Sequence, residues 1–254
     1  MVETTTQTAL FEYVLQLGDD ALVHGHRLSE WCGHGPYLEE DIALANIALD
    51  HIGQANALLH LAGELEQAGR TENDLAYLRD ATAFRNALLL EMPRGDFGYT
   101  ITRQWLFASY AFLLYEGLRH SANKTLAGIA AKAYKEIRYH LRHSSEWMVR
   151  LGDGTAESHR RAQEALDALW MYTGELFEPP ESELVADGIA PDLGALRPRW
   201  DEMVAHVAQR ATLLLPPADS FMATGGRNGR HSEHLGHMLA EMQILPRSFP
   251  GATW

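Results

Sequence analysis

The chain has 254 residues and 28.4 kDa, with 46% hydrophobic and 22% charged residues, a composition that excludes disorder, collagen and low complexity. Its 34 acidic against 21 basic residues leave a formal charge of −13, which removes the counterion-release drive for nucleic acid and disfavours an anionic membrane surface. Cys32 is the only cysteine, so an intrachain disulfide is excluded; no apolar run of about 18 residues marks a transmembrane helix. The opening MVETTTQTAL lacks the basic start and apolar core of a signal peptide, so a cytoplasmic protein is expected.

Helix signals dominate. A first helix is predicted from Ala9 to Cys32, ended by Gly33-His34-Gly35-Pro36. A second runs from Leu38 to Ala68, with Gly69 past its end. Within it Ile42, Ala45, Leu49, Ile52, Ala55, Leu59 and Ala62 recur at three- and four-residue steps, the buried stripe expected of an amphipathic helix. Residues 73–92 are mixed, with short helical turns around Leu75, Leu78 and Phe84 before Pro93. A third long helix, Asp96 to His120, is very apolar from Trp105 to Leu114, as a central or partner-covered helix is. The fourth spans Asn123 to Leu151. A fifth covers Ala156 to Phe177, another opens at Pro198 and runs to Leu213, and the last spans Ser232 to Leu245. The fold class expected is all-α: one helical domain over 1–254, with a four-helix bundle over about 7–152 and additional C-terminal helices over about 153–254. The segment between the second and third long helices is the candidate long crossover.

A bundle of long helices invites a test for the di-iron carboxylate pattern, one Glu from each of two helices and Glu-x-x-His from each of the other two. The i, i+3 spacing matters because it aims both ligands at the same metal pair. Glu30 is the acid offered by the first helix. In the second, His51 and Gln54 stand where Glu and His belong. The third has no carboxylate before Glu116. In the fourth, Ile137 and His140 fill the Glu-x-x-His frame. A bundle with this shape lacks the ligand set, so no catalytic residue and no metal ligand is assigned. Glu30, His51 and His140 are instead expected to form a hydrogen-bonded polar cluster, with Glu30 within reach of one histidine.

Elsewhere, His231, His234, His237 and Glu241 lie near or on the last helix and raise the question of a metal site, against the plainer reading of a polar helix face. The Gly225-Gly226-Arg227-Asn228-Gly229-Arg230 run is expected to be a flexible surface loop; it lacks the strand-turn-helix context of a phosphate loop. Cys32 is expected to be inert.

Several stretches resemble the structural C subunits of the bacterial 1,2-phenylacetyl-CoA epoxidases. They are Leu17-Gly18-Asp19-Asp20, Leu28 through His34, DIALANIALDHIGQ from Asp41 to Gln54, KEIRYHLR from Lys135 to Arg142, Thr224-Gly225-Gly226, and Glu233 through Gln243. The resemblance implies a ferritin-like fold and a non-catalytic role beside a homologous catalytic A subunit, which holds the di-iron centre and the acyl-CoA. It implies a reductase with flavin and iron–sulfur that draws on NADPH, and a small B subunit. The complex so implied uses O2 to epoxidise the ring of phenylacetyl-CoA in aerobic phenylacetate breakdown. The ligand positions of the catalytic sister fall here on Glu30, His51, Gln54, Ala108, Ile137 and His140, a vestigial set, so no cofactor is expected in this chain. Self-association of the chain alone is expected from the apolar run Trp105 to Leu114. The alternatives are a self-contained metal-binding oxidase of ferritin-like fold and a regulatory helical module.

Overall fold

A computed structural model describes residues 2–252, with side chains described from residue 7. In chain order the helices are α1 (Val2–Ser29), α2 (Leu38–Glu66), α3 (Glu72–Tyr77), α4 (Leu88–Glu91), α5 (Phe97–Leu118), α6 (Lys124–Gly152), α7 (Ala156–Trp170), α8 (Ser182–Ala186), α9 (Leu193–Arg210) and α10 (Glu233–Ser248). Among the described residues there is no strand. Among those same residues no helix is long and apolar enough to cross a membrane.

The four long helices α1, α2, α5 and α6 form a ferritin-like bundle. Gly18 packs against Leu59 and Gly25 against Ala48 and Ile52, so α1 and α2 run antiparallel. Gly18 has no room for a side chain: a Cβ there would stand 2.8 Å from Leu59 Cδ2. Trp31 Nε1 donates to Thr100 Oγ1 at 2.9 Å and His24 meets Gln104, so α5 runs against α1. His140 meets Asp50 and Gln54 meets Glu136, so α6 runs against α2. Helices α2 and α5 are therefore parallel, and residues 67–96 return the chain along the bundle as the expected long crossover.

Side-chain caps set several helix starts. Asp96 Oδ1 accepts from the Tyr99 N–H at 2.8 Å and Asn123 Oδ1 from the Leu126 N–H at 3.0 Å. Thr155 and Ser158 close a capping box on α7, which ends at Trp170 rather than Phe177; a 3-10 turn over Gly174–Phe177 follows. Asp192 caps α9, so this helix begins five residues before Pro198. The sequence expectation of a start at Pro198 is corrected by that cap, whose side chain meets the Gly194 and Ala195 N–H groups.

Two expectations about apolar surface are corrected. The α5 run from Trp105 to Leu114 is covered within the chain, with only Phe112 half-buried, and Trp200 of α9 donates to the Leu106 carbonyl at 3.1 Å. It therefore provides no motive for self-association. On α2 the buried stripe is Leu44, Ile47, Ala48, His51, Ala55, Leu58, Leu59 and Ala62. Ile42 and Leu49, expected inside, are 52% and 67% exposed. The helix is apolar on two faces, and periodicity alone does not say which face meets the bundle.

Asp19 and Asp20 of α1 hold the crossover in place. Asp19 pairs with both terminal nitrogens of Arg79 and accepts the Arg85 N–H at 2.8 Å. Asp20 accepts the Ala87 N–H at 2.8 Å and a bidentate pair from Arg227, at 2.7 and 2.9 Å. Glu175 accepts the N–H groups of Leu88, Gly225 and Arg227 at 2.7, 2.8 and 3.2 Å. The glycine-rich run is thus a buried knot around an internal carboxylate, not a flexible surface loop. Gly225 adopts φ 136°, and a Cβ on Gly226 would collide with the Asn86 carbonyl oxygen, which is why glycines stand there.

Candidate functional site

The bundle centre is where a ferritin-like protein would hold its metals, and here it is filled by imidazole and amide. The ring of His51 of α2 lies 4.9 Å from that of His24 of α1 and 4.9 Å from that of His140 of α6, centroid to centroid. Phe107 of α5 packs edge-on against His24 at 5.0 Å. His24 Nε2 donates to Gln104 Oε1, and His140 Nε2 donates to Asp50 Oδ2 at 2.9 Å. Neither nitrogen of His51 makes a hydrogen bond of good geometry, and its nearest polar neighbour is the Gln54 side chain. Gln54 donates to Glu136 Oε2 at 2.9 Å and its side chain also borders His51. Below His51 and Gln54 a void of about 10 Å³, bounded by Phe107, Tyr115 and Ile137, has the size of one water.

Electrostatics follow from burial. His24 is lowered to about 3, first by desolvation and then by the Arg103 charge. Desolvation also holds His51 well below the ordinary imidazole value, with His140 and His24 adding to it. Both rings are neutral at physiological pH.

Of the six positions matched to metal ligands, the fold brings His51, Ala108, Ile137 and His140 into the interior, with Gln54 at its rim. Glu30 is elsewhere. It lies just past the end of α1, one-third exposed, and accepts from Arg27 Nη1 at 2.5 Å. Its expected contact with His51 or His140 is absent. The α1 residue level with His51 is His24, six positions earlier and roughly 240° away around a helix of 3.6 residues per turn. The stripe Leu17, Ala21, His24 and Leu28 carried that phase in the sequence. Gln104 had no such signal, because its partner is 80 residues distant. Glu30→Ala is accordingly expected to change stability by less than about 1 kcal/mol, the worth of a partly exposed ion pair, in a urea melt.

The donor set does not fit a di-iron centre. Two irons in such a bundle need bridging carboxylates aimed inward from the helices. Ala108 and Ile137 offer no donor; Asp50 and Glu136 are engaged between α2 and α6, and Asp20, which lines the same void as His51, is held by Arg227 and the Ala87 N–H. Among the described residues no group of three or more His, Cys, Asp or Glu has metal-binding geometry. The C-terminal histidines do not converge either. His237 and Glu241 are exposed. His231 precedes α10 and has a buried side chain, with Nδ1 donating to Glu91 at 2.8 Å and Nε2 to the Phe84 carbonyl at 3.0 Å. Two donating nitrogens require the imidazolium. Burial opposes the charge, but the hydrogen bond and charge of Glu91 outweigh it and raise the pKa.

Residues 1–254 match the profile of a family described as phenylacetic acid catabolic protein. The chain is 47% identical over 247 residues to the C subunit of 1,2-phenylacetyl-CoA epoxidase from Escherichia coli (strain K12), covering 96% of this chain and 99% of that relative.

Proposed function

The chain belongs to the phenylacetic acid catabolic protein family, and on that premise we propose that it is the non-catalytic structural subunit of a multicomponent phenylacetyl-CoA epoxidase. One observation carries this reading: the bundle centre holds imidazoles, amides and apolar side chains in the place of bridging carboxylates. Such a chain supplies a rigid helical surface and no oxidising centre. Its partner is a homologous catalytic A subunit with the di-iron site and the acyl-CoA. A reductase delivers electrons from NADPH, and a small B subunit makes up the rest of the assembly.

Two measurements test the proposal. The purified chain should contain far less iron than the roughly two atoms per chain of a di-iron bundle, by elemental analysis. Iron near that level, with an oxo-bridge absorption band, returns the chain to the self-contained oxidase. Co-expression with the catalytic A subunit should yield a stable complex that turns over phenylacetyl-CoA once the reductase is added. A catalytic chain that is soluble and fully active alone overturns the structural role.

A further inference from the structure

The outer surface of α2 and α6 combines two features that the bundle itself does not use. On α2, Leu38, Ile42, Ala45 and Leu49 step by 4, 3 and 4 residues, the spacing of a coiled-coil seam, before Ile52 turns in against α1. Leu38, Ile42 and Leu49 are 73%, 52% and 67% exposed, while the opposite side of the same helix is buried. Scattered exposed apolar residues are ordinary, but a continuous heptad seam on one helix is not.

The second feature is charge. On the outer face of α6, Lys132, Lys135, Arg138 and Arg142 form a cationic row in a chain of formal charge −13. Lys132 reaches Glu136 only at 4.0 Å, and Lys135, Arg138 and Arg142 have no carboxylate partner among the described residues. The two features are neighbours. They lie on adjoining helices, since α6 packs against α2 through His140–Asp50 and Glu136–Gln54.

We propose that this seam and the cationic row together form the docking face for a helical partner subunit that presents an apolar heptad seam flanked by carboxylates. The proposal rests on the structural-subunit reading and names the surface it uses. Charge decides the occupant. In a two-fold pairing that lays α2 antiparallel on a second copy, each α6 faces the other α6, setting cation against cation. A partner with acids opposite α6 relieves this and matches the unpaired cations, as interfaces that choose one partner do.

The test uses full-length chain co-expressed with the catalytic A subunit and purified through a tag on that subunit. The exposed double variant Ile42→Glu/Leu49→Glu and the triple variant Lys135→Glu/Arg138→Glu/Arg142→Glu are compared with wild type. Far-UV circular dichroism and melting temperature serve as the folding control. Both variants should fold as wild type and lose at least tenfold in recovered complex. Wild-type affinity should fall as NaCl rises from about 0.05 to 0.5 M, and the triple variant should lose that dependence. Folded variants recovered at wild-type yield overturn the docking face and leave the subunit role intact. Failure of the wild type itself to co-purify overturns both. A seam variant that turns a dimer of the chain alone into a monomer while co-purifying normally assigns the face to a second copy and overturns the proposal.

Discussion

Arg227→Met is expected to lower stability by about 3–5 kcal/mol, because it strips the bidentate partner from a buried carboxylate. Asp20 is 3% exposed, and its remaining contact would be the Ala87 N–H at 2.8 Å. Burial already raises the Asp20 pKa even with the Arg227 charge opposing it. Without that charge the carboxyl rises further, so the ionised form becomes costly at neutral pH. The sign is definite: a raised folded pKa means that this group adds stability at low pH and loses it as pH climbs through the folded value. The variant's deficit should therefore shrink as pH is lowered from 7. The double variant Asp20→Asn/Arg227→Met removes both charges and should recover more than half of the loss, as expected when neither partner is left stranded. Chemical denaturation of the three proteins at two pH values reads all of this. A single variant within about 1 kcal/mol of wild type would mean that the knot between α1 and the Gly225–Gly229 run does not hold the crossover.

The second large effect concerns the bundle centre. His24 and His51 are held neutral in the folded chain, and each gains a proton near its ordinary value once unfolded. A depressed folded pKa gives stability that is complete above about 6.5 and is lost as pH falls toward the folded value. Between pH 6.5 and 5 each such histidine removes about 2 kcal/mol, at 1.36 kcal/mol per pH unit. His231 works in the opposite sense. Its raised pKa stabilises fully below about 6.5 and loses effect as pH rises through the folded value. A substitution separates the two. His51→Met removes a ring whose nitrogens make no hydrogen bond of good geometry, so at pH 7.5 it should be neutral or stabilising by about 1 kcal/mol. At pH 5 its advantage over wild type should widen by about 2 kcal/mol, while the His24 and His231 contributions cancel in the comparison. A large destabilisation at pH 7.5 would show that the His51 ring makes a contact the bundle needs.

Much of the architecture was legible in the residues. Four long uninterrupted helical stretches, the breaks at Gly33 to Pro36, Pro93 and Gly152 to Gly154, and a long connection in the middle specify a ferritin-like bundle with one crossover, because helix length and loop length restrict how such helices pair. The failure of the di-iron pattern was equally legible: Ala108 and Ile137 have no donor atom, whatever the fold does with them. Composition and spacing are local properties, and local properties survive without coordinates.

What only the tertiary structure decided was facing and partnership. An apolar seam at steps of three and four looks the same whether it meets its own bundle or solvent, so Ile42 and Leu49 read as core until α1 and α6 were placed against the other side of α2. Glu30 and His24 both read as polar residues of the first predicted helix; the phase of α1 against α2 selects His24, and α1 ends at Ser29, leaving Glu30 with Arg27 beyond it. The glycine-rich run reads as a flexible loop because its partners, Glu175 and Asp20, lie about 50 and 207 residues away in the chain. Buried charges need partners whose distance in sequence is unrestricted, and only closure of the fold brings Asp20, Arg227 and Glu175 within hydrogen-bond reach.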